Sequence, residues 1–241
     1  YKDRITYFDV FFRKVPDQGG FAIAAGLEQL IDYIENLHFS EEDIAYLRSK
    51  DCFSEEFLDY LKRSAEVAHE LDCKNLVLHS NALAEEGRMC TSGNELSERT
   101  KIAAATKNLL AAAEVAEDAG LTLQLEPVST YAKPGYYMTT SASAAEIIRV
   151  VDSPRLKLLY DIYHMQLMEG DLANTIRANA DVIGYIHIGD VPGRHEPGTG
   201  EINYPFLKRL LVDELKFDGI FAFELSPLTT LDACVEAMHA F

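Results

Sequence analysis

No run of apolar residues in this 241-residue chain approaches the roughly 18 that a membrane-spanning helix requires, so no membrane partner is expected. Cysteine is sparse. Cys52, Cys73, Cys90 and Cys234 are scattered, with no CxxC pair. That argues against a zinc knuckle or a disulfide framework and fits a reducing compartment. No secretory signal opens the sequence, and with the cysteines this predicts a cytoplasmic location. Basic side chains are outnumbered, 22 against 39 acidic ones, for a formal net charge of -17. Such a surface repels phosphate backbones and no basic patch offsets it, so nucleic acid is not an expected partner. Small anions are not excluded, because one arginine can dominate a pocket. Internal repeats and low-complexity segments are also absent.

What is present is ordinary for a globular protein: 48% apolar and 25% charged residues, in a length that suits one large domain or two small ones. From Asn75 onward, five apolar runs alternate with helical patterns: 75–80, 121–127, 156–164, 182–190 and 219–227. They are nearly continuous in apolarity, as strands buried on both faces are. Between the first two, Ile102, Ala105, Leu109, Ala112 and Ala116 form a helical stripe. Ser97 is placed to cap its start and Gly120 to stop it. Repeated β-then-α units predict a parallel sheet with right-handed crossovers, open or closed into a barrel.

A closed eight-fold barrel needs about 250 residues, or about 31 per unit. Five units fit between Asn75 and the C-terminus, but only 74 residues precede Asn75. Those read as one strand-like run, "ITYFDVFFRK", a turn at "VPDQGG", and three helices. The helices cover about 21–37, start at Ser40, and start at Ser54 with a stripe of Leu58, Leu61, Ala65 and Ala68. The front of the barrel is therefore expected to be missing or replaced. The open sheet edges that result would invite self-association into a homo-oligomer.

Four polar residues sit at or near the ends of the last four runs: Glu126, Asp161, His187 and Glu224. The steps between them are 35, 26 and 37 residues, each near one βα unit. Parallel strands in register would bring all four to one end of the sheet, which in barrels holds the active site. One such residue alone is usually a solvated loop residue; four in successive units are hard to explain that way. Three carboxylates and an imidazole would repel one another without a cation. The mostly oxygen donor set suits Mn²⁺, Mg²⁺, Co²⁺ or Zn²⁺. His164, three residues past Asp161, either points inward with it or caps the next helix. Arg194, in the Gly/Pro-rich "VPGRHEPGTGE", is either part of a polar turn or grips a substrate carboxylate or phosphate with two parallel hydrogen bonds. His195 and Glu196 read as loop-fixing residues. Tyr136 and Tyr137 read equally as pocket wall and as core.

The blocks "LEPVST...PGYYMTT", "YDIYHMQLMEGDL", "IHIGDVPGRHEPGTGEINY" and "FELSP" resemble hydroxypyruvate isomerase and its relatives among the xylose-isomerase-like (β/α)8 TIM barrels, over roughly 59–241. The resemblance implies that Glu126, Asp161, His187 and Glu224 are metal ligands and that Glu126 and Glu224 are the proton-transfer pair. It also implies that His164 and Arg194 contact substrate. The implied reaction moves a proton between adjacent carbons of a small hydroxy-keto acid or sugar through an ene-diolate. Hydroxypyruvate isomerases often carry glutamine where this chain has His187, whereas related ketose epimerases carry histidine, so a ketose 3-epimerase is the alternative. A catalytically impaired barrel fragment is another. A metal nuclease on this barrel type would carry more histidines and less negative charge. The first 60 or so residues resemble instead the N-terminal region of nicotinate phosphoribosyltransferase. That implies a chimera with segments 1–58 and 59–241, in which the first part lacks its own active site.

Overall fold

The computed structural model describes residues 55–81 and 96–240. The expected replacement of the first barrel strands, and most of the segment set apart as 1–58, lie outside them. Within the described residues the order is α1 (Glu55–Glu70), β1 (Asn75–Leu78), α2 (Glu98–Ala119), β2 (Thr122–Leu125), α3 (Ser141–Val151) and β3 (Leu156–Asp161). There follow α4 (Ile162–Met168), α5 (Leu172–Asn179), β4 (Ile183–Ile188), α6 (Tyr204–Lys208), a π-helical turn (Arg209–Glu214), β5 (Ile220–Phe223) and α7 (Leu231–Ala240).

All five strands pair in parallel, in the order β1-β2-β3-β4-β5. Each lies beside its neighbour in sequence, with no reversal of direction along the sheet. That is the order of staves in a barrel wall, not of a doubly wound sheet. Each strand begins within a residue of the apolar run that predicts it. Of the polar residues at or near the run ends, Asp161 and His187 lie within strands, and Glu126 and Glu224 lie one residue beyond.

Local chemistry explains the helix ends. The Ser97 hydroxyl accepts from the Thr100 N–H, and Gly120, at φ 65, stops α2 while its N–H reaches back to the Ala116 and Glu117 carbonyls. Thr140 caps α3 through the Ser143 N–H, and Asp161 caps α4 through the His164 N–H. The buried face of α2 is Ala103, Thr106, Leu109, Ala112, Ala113 and Ala116, with Ile102 and Ala105 only partly buried. The expected stripe is thus turned by one position in its first half. Small side chains there let α2 approach the sheet and its neighbours closely. On α1, Leu61, Ala65 and Ala68 are buried as their spacing predicts.

One irregularity decides where the site falls. Leu158 pairs with Ile183 but Leu159 pairs with Tyr185, so Gly184 is an extra residue in β4. Below this bulge, Leu158 and Ile183 share a face. Above it, Asp161 stands directly across from His187. An unbroken register would set Asp161 against Ile186 and turn His187 to the other face of the sheet. Tyr160, on the face opposite Asp161, hydrogen-bonds Thr175 of α5 at 2.6 Å, so Asp161 and His187 face the barrel interior.

Candidate metal centre

Glu126 and Glu224 each lie one residue beyond a strand, yet both are still in the ladder. The Glu126 N–H donates to the Leu78 carbonyl at 3.0 Å and the Glu224 N–H to the Ile188 carbonyl at 3.1 Å. With Asp161 at the end of β3 and His187 in β4, the sheet brings these four side chains to one rim. One ligand atom from each lies within 4.8 Å of all the others. His187 Nδ1 is 2.6 Å from Glu224 Oε2, 3.4 Å from Glu126 Oε1 and 3.6 Å from Asp161 Oδ2.

Whether this set suits a cation is answered by His187. Its Nδ1 is buried and has no hydrogen-bond partner in acceptable alignment, despite the close Glu224 oxygen. It faces three carboxylates at once without lining up on any. A nitrogen placed so can offer a lone pair to an ion between them, and one imidazole with three carboxylates is a donor set for a divalent metal. The residues fit such a group.

Without an ion among them, the same carboxylates draw a proton to this ring. Burial opposes charge on His187, but contacts with Asp161, Glu126 and Glu224 outweigh it and push its pKa up to about 11. Burial would likewise raise Glu126, yet the close His187 and His79 imidazoles bring it down to about 2. Clustered carboxylates of this kind call for positive charge among them.

Arg194 also lies in the cluster. Its Nη2 donates to Asp161 Oδ2 at 2.6 Å and lies 2.9 Å from Glu224 Oε2, while Nε donates to the Glu224 carbonyl at 3.0 Å. Nη1 is 3.2 Å from His164 Nε2. A guanidinium only donates, so that nitrogen accepts and Nδ1 of His164 carries the proton toward Ser129 Oγ, 3.1 Å away. Burial holds the His164 pKa below the usual imidazole range, consistent with a neutral ring. It is Asp161, not the His164 ring, that caps α4. The guanidinium also stacks over Tyr163 at 5.2 Å.

The loop bearing Arg194 is organised by Asp190, a buried residue the sequence reading did not single out. One of its oxygens accepts from the N–H groups of Val191 and Ile202, the other from those of Gly198 and Gly200. This holds Arg194 in a left-handed conformation, φ 58. His195 and Glu196 fasten the same loop. His195 Nδ1 meets the Ser226 carbonyl at 2.7 Å, and Glu196 accepts from the Leu228 N–H at 3.0 Å. Tyr136 is buried. Its hydroxyl donates to the Glu126 carbonyl at 2.8 Å and accepts from the Ser80 N–H at 3.0 Å. Tyr137 is half-buried against the core.

His79 is the other residue missed. It follows β1, and its Nε2 is 3.0 Å from Glu126 Oε2. The strand-end rule that picks out the four donors would have found it, since "NLVLHS" is an apolar run ending in His.

Fold and site together define a wall of parallel βα units with a hard-donor cluster at the C-terminal rim. The chain belongs to the xylose isomerase-like TIM barrel family, which it matches over residues 21–237. That match crosses the boundary expected near 59, and nothing in the comparisons supports a phosphoribosyltransferase origin for the first residues. Among relatives, hydroxypyruvate isomerase of Escherichia coli is 39% identical over 135 residues, 56% of this chain and 52% of the relative. The 2-oxo-tetronate isomerase of Cupriavidus necator is 39% identical over 121 residues, 50% of this chain and 46% of the relative. The chain thus spans about half the length of these relatives. Among solved structures, an AP endonuclease of family 2 from Brucella melitensis aligns with a TM-score of 0.68 and 27% identity, over 77% of this chain and 68% of that one. The 3-keto-D-glucoside 4-epimerase of E. coli aligns with a TM-score of 0.63 and 22% identity, over 76% and 69%, and supports the fold alone. No helix among the described residues is long and apolar enough to cross a membrane.

Proposed function

We propose that this chain is a metal-dependent isomerase acting on a small α-hydroxycarbonyl compound, a hydroxypyruvate-like keto acid or a sugar. The observation that carries the reading is the convergence of Glu126, Asp161, His187 and Glu224 within 4.8 Å, with an imidazole nitrogen facing all three carboxylates. These residues would hold a divalent ion such as Mn²⁺, Mg²⁺, Co²⁺ or Zn²⁺. When bound, such an ion supplies Lewis-acid stabilisation of negative charge on the substrate oxygens beside the reacting carbons.

The chain's own part is proton transfer and orientation. Glu126 and Glu224 approach the cluster from strands on either side of β3 and β4. One, as carboxylate, takes the proton from the carbon beside the carbonyl; the other, as carboxylic acid, gives its own proton to the neighbouring carbon of the ene-diolate. Arg194 brings permanent positive charge to the same rim, and with neutral His164 would orient a substrate carboxylate or hydroxyl. The surrounding charge of -17 disfavours a nucleic-acid substrate, although an endonuclease is among the structural neighbours.

The histidine at 187 supports a second reading, a ketose 3-epimerase, in which the proton returns to the carbon it left. One experiment separates these. Purified protein is stripped with chelator, reloaded with Mn²⁺, and assayed on hydroxypyruvate and on ketoses in heavy water. Isomerase action predicts metal-dependent conversion of hydroxypyruvate with solvent deuterium in the product, lost in Glu126→Gln. Conversion of ketoses alone would favour the epimerase. Metal-loaded protein that turns over neither substrate would refute both, and a catalytically inert barrel fragment would remain.

A further inference from the structure

We propose that His79 is a positioning residue for Glu126, setting the plane of that carboxylate so that one chosen oxygen faces the metal ligands. The inference rests on the metal-isomerase reading and goes beyond it, because it adds a residue to the machinery and gives it a role.

The two oxygens of Glu126 have different neighbours. Oε1 is the one near His187 Nδ1, at 3.4 Å, while Oε2 is 3.0 Å from His79 Nε2. A carboxylate rotates readily about its last side-chain bond, and that rotation exchanges its oxygens. A hydrogen bond to one oxygen fixes which of the two points at the cluster. The backbones are already aligned for this. The Glu126 N–H bonds the carbonyl of Leu78, the residue just before His79, so the two side chains leave adjacent strands at the same level.

The imidazole is itself held. Its ring packs edge-on against Tyr136, with centroids 6.1 Å apart and planes at 84°. The Tyr136 hydroxyl joins the Ser80 N–H to the Glu126 carbonyl. One phenol therefore pins the residue after His79, braces the His79 ring, and ties down the backbone of Glu126.

Asp161 shows the same plan: its Oδ1 accepts from the His164 N–H, while its Oδ2 is the oxygen near His187. Ligating carboxylates are usually oriented by such outer hydrogen bonds. For Glu126, His79 is the donor that lies outside the cluster. The bland alternative is a solvated histidine at a strand end, since half of its side chain is exposed. That exposure makes the test clean, because little core is lost on substitution.

The experiment uses the full chain and Mn²⁺ as the probe, with binding measured by calorimetry on wild type, His79→Leu and His79→Gln. Gln can place an amide N–H where Nε2 stands; Leu cannot. A positioning role predicts that His79→Leu weakens Mn²⁺ binding about tenfold. It also predicts an unchanged melting temperature for the metal-free protein, restoration of most of the affinity by Gln, and a fall in kcat rather than a rise in KM. Equal Mn²⁺ affinity in wild type and His79→Leu would overturn this inference alone. Equal weakening in Leu and Gln would also overturn it, since the hydrogen bond would then not matter. A wild type that takes up no Mn²⁺ would overturn the metal reading and this inference together.

Discussion

Asp161 stands directly across the sheet from His187, and it does so because Gly184 is an extra residue in β4. The bulge shifts the register by one just before the site. Everything above it on β4 turns over, and an imidazole that would face the outer helices faces the interior instead.

Gly184 has a steric reason to be glycine. A Cβ there would stand 2.8 Å from the Lys157 Cβ and 3.0 Å from its Cγ, close to the backbone where the lysine cannot swing away. Gly184→Ala is expected to cost about 1–3 kcal/mol in urea unfolding. It should also lower Mn²⁺ affinity, because the shift needed to relieve the clash passes directly to His187. Unchanged stability and unchanged binding would show the bulge to be tolerant.

Asp190 accepts four backbone hydrogen bonds inside the loop that carries Arg194. Asp190→Asn removes one accepting oxygen and leaves two N–H groups of the loop without it. The expected loss is about 1–3 kcal/mol. In protein that remains folded, the Arg194 guanidinium should come away from Asp161, and turnover should fall. Chemical denaturation reads the first effect and a steady-state assay the second. Gly200→Ala should act through the same loop, since its Cβ would overlap the Val191 carbonyl oxygen.

Metal loading should raise the melting temperature. At a free concentration one hundred times its dissociation constant, an ion that binds only the folded state adds about 2.7 kcal/mol of stability. Thermal melts with and without Mn²⁺, and after chelation, measure this directly. In Asp161→Asn the metal-dependent increment should vanish, whatever the change in the metal-free baseline. An increment that survives in that variant would place the ion elsewhere.

Tyr136→Phe keeps the ring and removes only the hydroxyl. The Ser80 N–H and the Glu126 carbonyl then lose their shared partner, at a cost of about 1–3 kcal/mol in thermal or urea unfolding. Because Glu126 loses a backbone anchor, Mn²⁺ affinity should drop as well. A purely structural tyrosine would lower stability and leave the affinity alone.

Much of this architecture is legible in the sequence, for identifiable reasons. Strands buried on both faces read as continuous apolar runs, so β1 to β5 begin where Asn75, Leu121, Leu156, Val182 and Gly219 open such runs. Ser97 and Gly120 mark the ends of α2 because capping chemistry is local. The four donors are found by one rule, a polar residue closing an apolar run. The bulge at Gly184 leaves no such trace, because β4 reads as one nearly continuous apolar run in which a register shift does not show. Asp190, in "IGDVPG", reads as an ordinary turn residue until its oxygens are seen to gather four N–H groups. Arg194 is expected to hold substrate, and what the sequence does not foretell is that its guanidinium also rests on Asp161 and Glu224. Only a folded loop can show that, since no local pattern tells which way a side chain leaves a left-handed residue.

The loops after β4 and β5 are laced together. Arg194 Nε reaches the Glu224 carbonyl, the Ser226 N–H reaches the Arg194 carbonyl, His195 meets the Ser226 carbonyl, and Glu196 takes the Leu228 N–H. Neither strap can be redesigned by itself. Any attempt to widen the mouth for a bulkier compound must cut both, and random single changes in one should mostly loosen the arginine before they alter what enters.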